Sequence, residues 1–229
     1  MKELEALVAW TPYLLGGFAW NILISALAMV LGTVIGAWLA WLRLSRHDAT
    51  RRASTAVTEL TRNIPTLVFQ FYLMLMLPGE WAVPGAGWVI VIPAWFKAAL
   101  ALSVAVVGFT SDNLLIALRD WRAGERGAAL LFVPAWGTYL LIIVIASSTA
   151  SIIGVGELVS RANSVIAATA NTRLMIPIYL YAMLIFFLFC WPLIALLGRF
   201  KTRVAARLAS GVQPVPHTAV PAGATQSGG

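Results

Sequence analysis

Long apolar runs along this chain alternate with short charged islands. From Ala6 to Leu42 no residue is charged. A membrane-spanning helix takes about 20 residues, and two with a turn need more than about 40. The run therefore predicts one span, over residues 18–42, behind an interfacial lead that contains Pro12. Within the span Ala28, Gly32, Gly36 and Ala40 recur every fourth residue. Small side chains on one stripe let another helix backbone approach closely. Packing inside the chain's own bundle and the seam of a dimer are both compatible with that spacing.

Residues 43–65 are basic and amphipathic. Asn63 is placed to cap a new helix and Pro65 to occupy its first turn. The apolar stretch that follows, residues 64–77, is short for a span at about 1.5 Å per residue. The second span is thus predicted as one longer helix, bent at Pro65 and starting within residues 53–62. Pro78, Gly79, Pro84, Gly85 and Gly87 mark an exposed loop. Residues 88–96, with Pro93, read as interfacial. The third span is predicted at 98–118, the fourth within 128–156 and the fifth within 174–198. This pattern describes an all-α membrane protein of about five transmembrane helices. Residues 1–207 form the transmembrane domain, and 208–229, rich in Pro, Gly, Ser and Ala, form a disordered cytoplasmic tail.

Composition fixes the solvent. Hydrophobic residues make up 60% and charged residues 11% of the chain, with a mean hydropathy of +0.86. A soluble domain carries about 25% charged and about 45–50% apolar residues. The N-terminus mixes Glu3 and Glu5 with Lys2 and precedes an apolar run longer than a signal-peptide core. The first span is therefore expected to stay attached.

The formal charge of +7 does not point to nucleic acid, because the bases flank apolar runs, where they set orientation and meet anionic headgroups of the lipid bilayer. Arg43, Arg46, Arg51, Arg52 and Arg62 follow the first span, Arg119, Arg122 and Arg126 the third, and Arg199, Lys201, Arg203 and Arg207 the fifth. Lys2, Lys97, Arg161 and Arg173 fall on the other side. The positive-inside bias then places the N-terminus outside and the C-terminus in the cytoplasm. With Cys190 as the single cysteine and His47 and His217 as the only histidines, no metal site or other cofactor site is expected. No GxxxxGK[ST] loop is present, so ATP is not bound by a P-loop, and the chain is not expected to be an enzyme.

Polar residues inside apolar sequence are the candidates for chemistry. Asp112 costs about 2.5–3.5 kcal/mol at mid-bilayer. Arg119 is only about 10 Å of depth away at 1.5 Å per residue, so water or a basic neighbour is within reach. The string SSTASIIGVGEL carries Ser147, Ser148, Thr149 and Ser151 and ends near Glu157. Its hydroxyls either bond back to carbonyls one turn earlier or line a solute path. Asp112, Ser147, Ser148, Thr149, Ser151 and Glu157 are the translocation-path candidates.

Together, RLSR at residues 43–46, ELTRNIP and SSTASIIGVGEL resemble the membrane subunits of bacterial ATP-binding-cassette (ABC) importers for polar amino acids, and the island RDWRAGERGAA is similar to the stretch that carries that family's coupling loop. Glu59, Leu60, Arg62 and Pro65 match that family's ELxRGTP-like stretch. Val133 and Pro134, then Ser148, Ser151, Ile153, Gly154, Glu157 and Leu158, match its fourth-span signature without a gap. Asp112, Gly124, Ala128 and Ala129 fall where the family's coupling loop has an acid, a glycine and paired alanines. The resemblance implies an ABC importer permease of five spans in the bacterial inner membrane. Its implied partners are a second permease subunit in a homo- or heterodimer, a cytoplasmic ATP-binding subunit and an extracytoplasmic solute-binding protein. It also implies ATP-driven import by alternating access, with Arg119, Arg122, Gly124, Glu125, Arg126, Gly127, Ala128 and Ala129 as the ATPase coupling loop. Two departures stand out: Gly127 replaces the family's glutamate, and the segment after Ala129 is shortened. They raise the alternative of a decayed, non-coupling structural or regulatory partner of such a transporter. An independent channel or secondary transporter is a third reading.

Overall fold

The computed structural model describes residues 2–82 and 88–211. Helix α1 (Lys2–Leu42) runs unbroken through Pro12, so the expected lead before residue 18 is part of the helix itself. Proline removes one backbone donor, here the one that would reach Val8 O, and lipid-phase helices tolerate this without breaking. In the same turn Thr11 Oγ1 donates to Leu7 O at 2.9 Å.

The small-residue stripe of α1 is buried against α4 (Ala94–Arg122). A Cβ added at Gly32 would lie 2.4 Å from Val106 Cβ, and one at Gly36 would lie 2.7 Å from Thr110 Cβ. The stripe thus serves the chain's own bundle. Around it gather Ile24, Ala28 and Met29 of α1, Ala98, Leu102 and Val106 of α4, and Ile143 from the fourth span.

The second crossing differs from a single bent helix. Helix α2 (Asp48–Asn63) and helix α3 (Thr66–Met76) are separated by Ile64 and Pro65, both extended with ψ of 122° and 121°. Proline disfavours the helical region at the preceding residue, so Asn63 ends α2, and no side chain caps α3. The end of α2 lies beside α4, where a Cβ on Gly108 would come 3.1 Å from Arg62 N. The end of α3 lies beside the start of α4, where Lys97 Nζ donates to Leu77 O at 2.6 Å. The buried Lys97 ammonium therefore satisfies a C-terminal carbonyl of α3 and meets the negative end of that helix. The α2–α3 pair thus runs antiparallel to α4.

Strands β1 (Glu80–Ala82) and β2 (Val89–Val91) form an antiparallel hairpin, with Trp81 opposite Ile90. Pro84, Gly85 and Gly87 of the expected loop lie outside the described residues. The stretch expected to be interfacial, 88–96, is divided between β2 and the first turn of α4.

Helix α5 (Arg126–Ala129) is a single turn, followed by α6 (Phe132–Ala146) and a 3-10 helix, Ser147–Ile153, that stops at Gly154 with φ 86°. Helix α7 (Leu158–Thr169), not anticipated from the sequence, packs on α1. Helix α8 (Met175–Gly211) carries Pro192 inside it. Of the tail expected from residue 208, residues 208–211 continue α8, and 212–229 lie outside the described residues.

Among the described residues, four helical segments are long and apolar enough to cross a membrane: Leu7–Leu42, Ala94–Arg122, Arg126–Ile153 and Thr172–Ala206, with the shorter apolar Thr66–Met76 beside them. That is a multi-pass membrane protein with about five crossings.

Candidate functional site

Two polar clusters stand apart along α1, one at its basic C-terminal end and one near its middle. At the basic end, Asp112 of α4 ties three helices together. Its Oδ1 accepts from Arg43 Nη1 at 2.6 Å, just beyond α1, and its Oδ2 accepts from Arg62 Nη1 at 2.8 Å, on α2. Arg43 also donates to Ser111 Oγ at 3.3 Å, and that hydroxyl shares a 2.8 Å bond with the buried Thr58. Bonds between ionised partners are roughly twice as strong as neutral ones, and here one carboxylate serves two guanidiniums.

Asp112→Ala is expected to lower unfolding stability by about 2–3 kcal/mol, because the half-buried Arg43 loses its counter-charge while the more exposed Arg62 pair counts for little. Asp112→Asn should fall between. Thermal unfolding in detergent measures this, and a loss below about 1 kcal/mol would remove the clamp from the account of stability.

Beyond α4, the island that the family resemblance assigns to ATPase coupling is a tight exposed turn. Gly124 N donates to Trp121 O at 3.2 Å and Glu125 N to Asp120 O at 2.9 Å, with Gly124 at φ 89°. This is the Schellman pattern, in which a left-handed residue, usually glycine, satisfies the last carbonyls of a helix. The Arg126 guanidinium lies over the Trp121 ring, 5.4 Å from its centroid. Arg119, Arg122, Glu125 and Arg126 are exposed, whereas Gly127, Ala128 and Ala129 are partly buried. The single turn of α5 is therefore held at its alanines and shows its charges outward.

Near the middle of α1, Asn21, Ser147 and Glu157 are fully buried together. Asn21 Nδ2 donates to Ser147 Oγ at 2.9 Å and to Glu157 Oε2 at 3.0 Å, and Asn21 Oδ1 accepts from Leu158 N at 3.1 Å. Glu157 is the N-cap of α7, accepting from Val159 N at 3.0 Å and Ser160 N at 2.8 Å. Donors that open a helix need acceptors of this kind. The buried Ser25 donates to Asn21 O at 2.7 Å and extends the network along α1.

The remaining hydroxyls follow the first of the two sequence readings. Ser147, Ser148, Thr149 and Ser151 each donate to the carbonyl three residues earlier, at 2.7–2.8 Å. Thr149 Oγ1 also lies 2.9 Å from Oε1 of the buried Gln70, whose Nε2 has no partner. A hydroxyl has one proton, and Thr149 already donates it to Ala146 O. Turning the Gln70 amide over would let Nε2 donate to Thr149 instead.

The translocation candidates do not converge. Asn21 sits with Ser147 and Glu157, Arg43 sits with Asp112, and along α1 these two residues are about 33 Å apart at 1.5 Å per residue. Asp112 thus belongs to a different cluster from the hydroxyls. Asn21, Arg43, Gln70 and Lys97 are further polar residues of these clusters that sequence reading did not single out. Only Lys97 gave a signal, as a lone charge between apolar runs.

No family model matches the chain. The nopaline transport system permease protein NocM of Agrobacterium fabrum strain C58 is 23% identical over 190 residues, covering 73% of this chain and 78% of NocM. A chain from the crystal structure of an amino acid ABC transporter with histidines superposes with a TM-score of 0.70 at 20% identity, covering 86% of this chain and 96% of that one. This is the fold of an ABC transporter permease subunit. Within the permease fold, Arg62 of the ELTRNIP stretch is the second arm of the Asp112 clamp, Pro65 makes the break before α3, and Glu59 is exposed on α2.

Proposed function

We propose that the chain is the permease subunit of an ATP-driven ABC importer for a polar amino acid or similar small solute in the bacterial inner membrane. The observation that carries this reading is the superposition over nearly the whole length of a solved amino acid ABC transporter chain. The importer works by alternating access with a second permease subunit, receives solute from an extracytoplasmic binding protein, and leaves ATP hydrolysis to a separate cytoplasmic subunit. The bases gathered near Asp112 and the α4–α5 turn mark the cytoplasmic end by the positive-inside bias. There Arg122, Glu125 and Arg126 stand exposed on a short rigid turn, accessible to a docking partner. The clamp on Asp112 joins the base of α4 to α1 and α2, so a push on that turn moves three helices as one.

A test is mild solubilisation of the tagged chain from its native membrane, with identification of what accompanies it. Recovery of a nucleotide-binding subunit is expected, reduced about tenfold, or about 1.4 kcal/mol, when Arg122 and Glu125 are both made alanine. Recovery of membrane subunits alone would favour a non-coupling structural partner, the reading suggested by the four residues of α5. Solute flux in proteoliposomes without nucleotide would favour an independent channel.

A further inference from the structure

The basic end has a second feature, which shares Arg119 with the implied coupling loop but not the exposed Arg122, Glu125 and Arg126. Between the end of α1, the face of α2 and the last turns of α4 lies a cavity of about 340 Å³, lined among others by Arg43, Arg51, Arg52, Glu59 and Arg119. Four guanidiniums face one carboxylate there. Arg43 is paired with Asp112, and Arg51 with Asp48 at 2.7 Å. Arg52 and Arg119 make no ion pair among the described residues, and neither does Glu59. Both unpaired arginines are exposed.

The cavity stands where hydrocarbon gives way to headgroups. Arg43 directly follows the apolar Leu7–Leu42 segment, and the floor includes the buried Leu115, inside the apolar Ala94–Arg122 segment. Helix α2 leaves Val57 and Leu60 uncovered by protein while it presents Arg51 and Arg52 to the cavity. An amphipathic helix with one apolar and one basic face lies in the plane of the interface. Basic pockets between helices on the cytoplasmic side suit anionic headgroups, and planar guanidiniums match phosphate oxygens in pairs.

We propose that this cavity is a phosphate-group site, in which Arg52 and Arg119 supply the free guanidiniums, Arg43 and Arg51 supply positive field, and the occupant is the phosphodiester of an anionic phospholipid. Glu59, in the same lining, offsets part of that field.

The test uses the full chain in mild detergent, titrated separately with phosphatidylglycerol, phosphatidylcholine and inorganic phosphate, with thermal unfolding and native mass spectrometry as readouts. Phosphatidylglycerol is expected to bind more tightly than phosphatidylcholine. Its apparent affinity should fall about fivefold for Arg52→Gln or Arg119→Gln and roughly 25-fold for the double variant, following the usual effect of one base near a membrane surface. Neither arginine holds an ion pair in the fold, so the variants should unfold normally without lipid. Arg203→Gln, at the same end but outside the cavity, should keep the wild-type affinity. Protection by inorganic phosphate alone, lost in the same variants, would make the source a soluble phosphate and keep the phosphate-group assignment. Equal affinity for both lipids with no effect of phosphate, or the same loss in Arg203→Gln, would overturn it.

Discussion

Glu157→Ala is expected to cost about 3–5 kcal/mol of unfolding stability, with the loss centred on α7. The substitution takes the acceptor from two backbone donors that open that helix and from Asn21 Nδ2, all within a fully buried cluster. A buried donor left without an acceptor costs about 1–3 kcal/mol, and a removed helix cap alone about 1 kcal/mol. Glu157→Asp separates the two parts. The shorter carboxylate can still cap α7 but cannot reach Asn21, so it should fall near the middle. Thermal unfolding of the three proteins, with hydrogen exchange along residues 158–169, makes the comparison. Near-equal stability of wild type and Glu157→Ala would mean that water replaces the carboxylate and that the Asn21 cluster is open.

Gly32→Val is expected to abolish correct packing of the first and third spans. A Cβ at position 32 would sit 2.4 Å from Val106 Cβ and 2.6 Å from Ser103 O, and the second of these is backbone that no rotamer change can move aside. Carbon atoms rest about 3.5–4.0 Å apart, so α1 and α4 must separate by more than an ångström along a seam that includes Gly36. Even Gly32→Ala should lose about 1–3 kcal/mol, the usual range for overpacking a filled interior. Gly198→Ala is the control: nothing lies within 4 Å of that position in α8, and alanine should gain up to about 1 kcal/mol from helix propensity. Yield of monodisperse protein and the unfolding midpoint report both. Tolerance of Gly32→Val would mean that the α1–α4 seam can open without loss of stability.

What was legible in the sequence follows from which signals are local. The apolar runs placed the spans, and the spacing of Ala28, Gly32, Gly36 and Ala40 marked a close helix contact, because both depend only on neighbours along the chain. The return of the Ser147–Ser151 hydroxyls to carbonyls three residues back is likewise a local bond. The reach of α1 through Pro12 was missed, because proline reads as a boundary wherever water can compete for the freed carbonyl. The break at Ile64 was placed one step off for the opposite reason, since a bend and a break at Pro65 share one sequence signal.

The site was less legible because its bonds are long-range. Asp112 called for a basic neighbour, but Arg43 and Arg62 were only two of many bases, and choosing them requires knowing that α1, α2 and α4 end together. Glu157 stands out in the sequence only as a polar residue in an apolar run; that it caps α7 depends on a helix the sequence does not announce. Asn21 carried no signal at all: one amide in an apolar run does not say what it faces.

The length of α3 has a consequence for biogenesis. Its eleven residues, all apolar but Thr66 and Gln70, make about 16 Å of helix and cover only half of a hydrocarbon core about 30 Å thick. Such a segment does not commit itself to the bilayer. Its end is fixed by Lys97 and its side by the 3-10 helix that holds Thr149, and both are synthesised after it. The second crossing is thus settled late, by segments the ribosome has yet to make when α3 emerges, and membrane insertion of this chain cannot proceed strictly in sequence order.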